Sequence, residues 1–445
     1  MEKTELGSPE ASHLQRSLKL WHLVVYGIII VQPTAPMGIY GVVSNVAHGH
    51  VVTTILIAML AMLLTAVSYG RMARVYPRAG SAFSYVSEEL NPRLGYVVGW
   101  AMLMDYILNP VICVIWSSQA ARNFVPGVPY AFWVVAFAVL STYLNTRGIQ
   151  TSSRVNAILS IAMSLVVILF LGEGLRYILN VVHPSGADLI RPFYNPVTFS
   201  TSAVFRGTSV AVLTYIGFDG ISTMAEEVEN PRRNIPIATV LTCLVIGLLS
   251  MVQVYVAQLA WPARQPFAPD VVDTAFVHVA ARVGGPFLFQ LLNATLLIAN
   301  MGTAIAAQFG ASRLMYGMGR SNSLPPAVFG AIDPRHHVPR NNVLIVGAIA
   351  LVGALLLSYE QGAELLNFGA FIAFIGVNAA ALVHYKYRTK EKVIFPLLIP
   401  ALGILVCTFI WIHLSRNAQI LGVVWICIGL VVAWFMRKTT NPRAL

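Results

Sequence analysis

Two carboxylates occupy unusual positions in this 445-residue sequence, because each lies well inside a long apolar run. Asp105 follows the stretch GYVVGWAMLM, and Asp219 lies within TYIGFDGIS. The nearest basic residue in either run, Arg206, is at the edge of its run. An acid removed from water favours protonation or an ammonium partner. The pair therefore predicts proton transfer or amine binding, and a structural acid bonded to a neighbouring helix is the alternative for each.

Aromatic side chains adjoin both acids. Tyr106 follows Asp105, and Tyr215 and Phe218 precede Asp219. Aromatic faces attract ammonium groups through cation–π contacts, although aromatic residues of apolar helices more often serve packing. We predict that Asp105 and Asp219 couple proton movement and that the binding site includes Asp105, Tyr106, Tyr215, Ile216, Gly217, Phe218 and Asp219.

The elements that must position these residues are membrane-spanning helices. Apolar residues make up 57% of the chain and charged residues only 11%, against roughly 25% charged residues in soluble domains. Several apolar runs reach the roughly 20 residues that cross a bilayer. Hydropathy therefore predicts an all-α membrane protein with about twelve transmembrane helices. The predicted spans are residues 21–44, 51–70, 94–121, 129–146, 155–180, 201–225, 237–260, 286–318, 342–358, 364–385, 393–413 and 419–436.

The distribution of basic residues predicts the orientation of these spans. The chain has 29 lysine and arginine residues and a net charge of +11. Most of them fall in segments that share one side, such as residues 71–93, when the N-terminus is inside. The positive-inside rule then predicts a plasma or inner membrane protein with both termini cytoplasmic. The basic excess is a topology signal and does not indicate nucleic-acid binding.

Two of the predicted spans are broken near their centres. The first contains Pro33, Pro36, Gly38 and Gly41, and the sixth contains the glycines around Asp219. Proline removes a backbone donor and clashes with the preceding turn. In lipid, a break is tolerated only where protein or a water-filled cavity satisfies the freed groups.

The positions of the breaks predict an inverted repeat. Residues 21–180 and 200–385 each hold five spans, so the second set is inverted and its broken span matches that of the first. Such paired breaks indicate the substrate site of a secondary transporter. The first break would add Pro33, Thr34, Ala35, Pro36, Met37 and Gly38 to the site.

The remaining segments complete the predicted organisation. Residues 1–20 and 437–445 are predicted cytoplasmic tails, residues 21–436 form one transmembrane domain, and residues 393–436 form an appended helical hairpin. Residues 81–90 are amphipathic enough for a short interfacial helix.

Other chemistries have little support in the sequence. His48 and His50 are an isolated pair of histidines, so no metal or cofactor is predicted. A Walker loop, which an ATP-driven pump needs, is absent, as are enzyme signatures. Thr34 and Thr303 permit a sodium site without requiring one. The predicted partners are a small amine or amino acid, protons and the lipid bilayer, with a homodimer as one option for assembly.

Four stretches carry a family resemblance: ARVYPRAGSAFSYV at 73–86, GYVVGWAMLMDY at 95–106, YIGFDGISTMAEEVENPRRNIP at 215–236 and ASRLMYGMGRSNSLP at 311–325. From about residue 18 to residue 437 the chain resembles the amino acid–polyamine–organocation (APC) superfamily, and most of all its bacterial putrescine importers. The resemblance implies a leucine-transporter-like fold of five plus five inverted helices. It also implies proton-coupled or exchange transport and a site between broken helices one and six and helices three, eight and ten. The acids of that family in helices six and three match Asp219 and Asp105.

Two departures from the family pattern bear on the substrate. Amino-acid carriers of the superfamily commonly hold the substrate carboxylate on a Gly-Ser/Ala-Gly turn in helix one, whereas this chain has Pro33 to Gly38 with two prolines. A helix-five lysine linked to proton coupling in some members is Met163 here. We therefore expect a proton-coupled importer of a small organic amine, putrescine or a related polyamine. The alternative is a broad-specificity or cationic amino-acid permease or exchanger of the same superfamily.

Overall fold

The fold is helical throughout the residues that the computed structural model describes, which are 18–77, 81–148, 153–225, 227–261, 266–320, 322–388 and 395–440. Most of both predicted tails, residues 1–17 and 441–445, lies outside the described residues. The α-helices are α1 (Leu20–Val31), α2 (Ala35–Val46), α3 (Val51–Val75), α4 (Ser81–Glu89), α5 (Pro92–Phe124), α6 (Tyr130–Thr146), α7 (Ser153–Tyr177), α8 (Gly186–Ile190), α9 (Thr201–Ala211), α10 (Pro231–Ala260), α11 (Ala275–Arg320), α12 (Pro326–Phe329), α13 (Arg340–Leu356), α14 (Tyr359–Val383), α15 (Phe395–Ile412) and α16 (Arg416–Thr440).

Helical structure occupies every predicted span. Among the described residues, seven helices are long and apolar enough to cross a membrane, or eight if the bent pair α1 and α2 is one span. Three further apolar helices are shorter: Tyr130–Thr146, Arg340–Leu356 and Leu397–Ile412. The all-α membrane class is confirmed, whereas the number of twelve spans stays a prediction.

The long helix α11 is two helices joined at a kink. Gly285 has φ 69° and ψ −166°, and Pro286 follows it. Proline suits the first turn of a helix, where its missing N–H would have no partner. A helix therefore begins at residue 286, where a span is predicted to start, and residues 275–284 form a separate helical piece.

Residues 266–284, which we call the covering segment, lie against α2. The side chain of Asn45 donates a hydrogen bond to the Phe267 carbonyl (2.9 Å) and accepts one from its N–H (2.8 Å). Gly41 allows the close approach, because a Cβ there would lie 2.0 Å from the Val272 carbonyl oxygen. Tyr40 packs edge-on against Phe276. The covering segment therefore closes the bundle over the end of α2.

The last two helices pack on the outside of the bundle. The indole N–H of Trp100 on α5 donates to the Trp425 carbonyl of α16 (2.8 Å), and the indole N–H of Trp425 donates to the Trp100 carbonyl (3.0 Å). The two rings stack with their centroids 5.0 Å apart. Because each indole N–H is hydrogen bonded to the backbone carbonyl of the other tryptophan, the position of α16 along α5 is fixed.

The short helix α4 is confirmed, but it packs into the bundle rather than lying only at its surface. Its buried residues include Ser81, Tyr85 and Glu89, spaced four apart on one face. Ser81 contacts the hydroxyl of Ser222 at 3.3 Å. Since Glu89 is only 4% exposed, its charge needs partners.

Those partners come from two other helices. The Glu89 carboxylate accepts a hydrogen bond from the Tyr76 hydroxyl (2.7 Å) and contacts His384 Nδ1 (2.6 Å) and Arg388 Nε (3.2 Å). Burial and the hydrogen bond to Glu89 raise the pKa of Tyr76 to about 12, so the phenol remains a donor. This Glu89 cluster joins the ends of α3, α4 and α14.

We predict that Glu89→Gln destabilises the protein. The substitution leaves His384 and the half-exposed Arg388 beside a neutral amide, and losing a hydrogen bond to a charged group costs on the order of 2 kcal/mol. Thermal unfolding in detergent should show a lower transition temperature than for Glu88→Gln, whose side chain is exposed on the same helix. Equal transition temperatures for the two variants would contradict the stabilising role of the cluster.

Candidate functional site

A cavity of about 370 Å³ lies where both broken spans meet three other helices. Its walls come from α1 and the residue after it, α5, α7, the second half of the sixth span and α11. The lining residues are Tyr26, Ile29, Ile30, Gln32, Asp105, Tyr106, Asn109, Leu159, Ser160, Met163, Ile216, Gly217, Asp219, Gly220, Thr223, Ala299, Gly302, Thr303, Ala306, Ala307 and Gly310.

The first break is shorter than the sequence predicts. Helix α1 ends at Val31 and α2 begins at Ala35, with an angle of 44° between them. Gly38 and Gly41 belong to α2. The freed Pro33 carbonyl accepts a hydrogen bond from the side chain of Gln253 on α10 (3.0 Å). A protein side chain thus satisfies a backbone group that lipid could not.

The second break is confirmed at the predicted glycine. Helix α9 ends at Ala211, and two 3₁₀ segments, Val212–Tyr215 and Phe218–Met224, replace a continuous helix. Gly217 lies between them with φ 115°, a conformation that glycine adopts without strain. A Cβ on Gly217 would lie 2.6 Å from Ile30 Cγ2. The two breaks therefore touch each other at the cavity wall.

The structure brings five predicted site residues to the cavity: Asp105, Tyr106, Ile216, Gly217 and Asp219. The predicted residues of the first break, from Pro33 to Gly38, are outside the lining. Among them, the Thr34 hydroxyl contacts Met163 Sδ at 3.2 Å, and Met37 is buried.

Two aromatic residues predicted for the site, Tyr215 and Phe218, pack against neighbouring helices on the side of the second break that faces away from the cavity. The Tyr215 hydroxyl donates to the Ile55 carbonyl (2.9 Å). Phe218 packs edge-on against Tyr69 at 5.6 Å and tilted against Phe374 at 5.5 Å between ring centroids. Both lie outside the cavity lining, where they have the packing role that the sequence left open. The tyrosines in the lining are Tyr26 and Tyr106.

Sequence reasoning missed several lining residues. Gln32 directly precedes the first proline of the break, and a polar side chain at that position was an available signal. Small residues of α11 recur at helical spacing and form one wall of the cavity: Ala299, Gly302, Ala306, Ala307 and Gly310. For Tyr26, Ser160 and Thr223, no comparable feature of the sequence predicts a position in the lining.

The cavity is acidic. Asp105 lies within electrostatic range of Asp219, and no lysine, arginine or histidine is among the lining residues. In the described part of the chain, neither carboxylate forms an ion pair. Two like charges at such depth favour a proton or a cationic ligand.

Within the described ranges, no group of three histidine, cysteine, aspartate or glutamate side chains is arranged to hold a metal ion.

The cavity lies on the side of the first break from which α1 enters, because its lining uses residues 26–32 and none of α2. The opposite side is closed. There the covering segment packs on α2, and Arg206 of α9 forms an ion pair with Glu360 of α14 at 2.8 Å. A solute in the cavity would therefore meet closed protein on the far side.

Comparison with known proteins gives a consistent picture. The family model described as amino acid permease matches residues 27–443. The low-affinity putrescine importer PlaP of Escherichia coli K12 is 31% identical over 442 residues, covering 96% of this chain and 95% of the importer. The branched-chain amino acid permease BcaP of Bacillus subtilis is 27% identical, covering 94% and 92%. The vacuolar cationic amino acid transporter 4 of Arabidopsis thaliana is 28% identical, covering 83% of this chain and 63% of the transporter.

We predict that Gly217→Ala disrupts the contact between the breaks. Alanine at φ 115° is strained by on the order of 2 kcal/mol, and its Cβ would press on Ile30. Gly220→Ala is the matched control, because its Cβ would make an ordinary 3.5 Å contact with the same side chain. Thermal unfolding should show a clear loss of stability for the first variant only. If both behave alike, the backbone at residue 217 does not need glycine.

Proposed function

The chain belongs to the amino acid permease family of the APC superfamily, a family of transport proteins rather than enzymes, and we propose that it imports a small organic amine. Putrescine or a related polyamine is the preferred substrate. The likeness to a putrescine importer over nearly the whole length of both chains supports this choice.

One observation carries the proposal. The cavity offers the two carboxylates of Asp105 and Asp219 and no basic side chain. A diamine brings two ammonium groups, so each carboxylate can meet one of them. An α-amino acid also brings a carboxylate, which two acids repel. Tyr106 and Tyr26 add ring faces that attract ammonium groups.

The relatives also support a second candidate, a broad-specificity or cationic amino-acid permease or exchanger. The names of two of them state branched-chain and cationic amino acids as substrates. A cationic amino acid would place its side-chain charge at one acid and its α-amino group at the other. Its carboxylate would then need a donor from another part of the cavity.

The proposed mechanism is alternating access. The cavity lies on the side of α1 and the far side is closed. By the positive-inside rule the open side faces the cytoplasm, so this conformation is inward-facing. The two broken spans would rock against the other helices and expose the same acids to the other side. Import driven by an inward proton gradient requires protons to move inward with the substrate, and Asp105 and Asp219 are the candidate proton carriers.

Competition for uptake tests the substrate. In proteoliposomes, unlabelled putrescine should inhibit uptake of labelled putrescine more strongly than leucine, alanine or arginine does, because only the diamine satisfies both acids without adding a carboxylate. Saturable uptake of labelled leucine or arginine that putrescine does not inhibit would contradict the proposal and favour the second candidate.

Neutral variants test the role of the acids. Asp219→Asn should abolish putrescine uptake driven by a pH gradient, since an amide can neither release a proton nor hold an ammonium group as tightly. Asp105→Asn should weaken it strongly. Asp270→Asn changes an exposed acid of the covering segment and serves as the control. Full gradient-driven uptake by Asp219→Asn would remove that residue from the coupling mechanism.

A further inference from the structure

We propose that Gln32 and Thr303 form a specificity pair that selects ammonium groups over carboxylates in this cavity. Gln32 is the residue between α1 and the first proline of the break, and Thr303 faces it from α11. Both side chains line the cavity together with Asp105 and Asp219. The inference rests on the proposed amine substrate and extends it to residues that are not ionised.

The backbone at Gln32 is unusual for a residue with a side chain. Its φ is 71° and its ψ 131°, and a positive φ strains the backbone of a non-glycine residue. Glycine would adopt this conformation without that strain. Strain of this kind persists where surrounding contacts hold it, and at Gln32 the side chain makes such a contact.

The contact fixes which way the amide points. Gln32 Nε2 donates to Thr303 Oγ1 at 2.5 Å, and Thr303 Oγ1 donates to the Ala299 carbonyl at 3.0 Å. A hydroxyl has one proton. With that proton directed to the Ala299 carbonyl, the Thr303 oxygen accepts from Gln32. This arrangement turns the NH₂ group of the amide to Thr303.

The carbonyl of the same amide is then left for a ligand. Within the described part of the chain, no group donates a hydrogen bond to Gln32 Oε1. The oxygen adds a third acceptor to the carboxylates of Asp105 and Asp219. An ammonium group carries three donors and a carboxylate carries none. Gln32 held in this orientation strengthens amine binding and opposes a substrate carboxylate.

Removing the Thr303 acceptor should release the amide. In Thr303→Val the side chain keeps its shape but cannot accept, so Gln32 can rotate and present its NH₂ group to the cavity. We expect putrescine affinity to fall about tenfold, the size of one hydrogen bond to a charged group, and the preference for putrescine over leucine to fall with it. Thr303→Ser keeps the hydroxyl and should bind both ligands like the unaltered chain.

The experiment is titration of the purified full chain in lipid nanodiscs with putrescine and with leucine. It compares the unaltered chain with Thr303→Val, Thr303→Ser, Gln32→Met and the double variant Gln32→Met/Thr303→Val. Methionine approximates the shape of glutamine without its acceptor. Because the two residues are proposed to act as one unit, the double variant should lose no more affinity than Gln32→Met alone.

Three results would overturn the pair: unchanged selectivity in Thr303→Val, an equal loss in Thr303→Ser, or additive losses in the double variant. If Gln32→Met fails to fold, the comparison of valine with serine at residue 303 decides. An unaltered chain that binds leucine but not putrescine would overturn the proposed substrate as well. Tight putrescine binding with unchanged selectivity in the variants would overturn the specificity pair alone.

Discussion

A helix that stops inside a bilayer exposes backbone groups that lipid cannot hydrogen bond, and the arrangement around both breaks follows from that constraint. At the first break, Gln253 reaches from α10 to the Pro33 carbonyl. At the second, Gly217 lets the chain turn directly against Ile30 of α1. A neighbouring helix thus supplies the hydrogen bond at the first break, and the close contact of Gly217 with α1 brings one half of each broken span to a common cavity.

The cavity that forms at the two breaks also accommodates the two carboxylates. A carboxylate inside a membrane needs water, a proton or a cation, and the cavity at the breaks is where such a partner can reach Asp105 and Asp219. Small residues along α11 keep this space open. Bulky aromatic residues such as Phe218 pack against the side of the break that faces away from the cavity, so they do not fill the cavity.

Periodicity and chemistry predicted the large features well. The helical class, the two breaks and the depth of both acids follow from apolar runs, proline, glycine and isolated charge, and the structure contains each of them. What a side chain faces was harder to predict. Tyr215 and Phe218 lie close to Asp219 in sequence, yet they point into packing, because the 3₁₀ turns on either side of Gly217 place neighbouring residues on different faces. Gln32 was missed because its side chain contacts Thr303, which is distant in sequence. The partners of Glu89 come from α3 and α14 and could not be read from the amphipathic pattern of α4.

The closure opposite the cavity has an energetic consequence for the resting population of states. Its polar contacts include the partly exposed pair Arg206–Glu360 and the two hydrogen bonds between Asn45 and Phe267. An exposed ion pair contributes up to about 1 kcal/mol and each hydrogen bond about 1 kcal/mol. These polar contacts together contribute on the order of 3 kcal/mol to the closure, and the packing of Tyr40 on Phe276 adds to it. In the proposed alternating access, a solute that binds the opened form more tightly would shift the population toward that form.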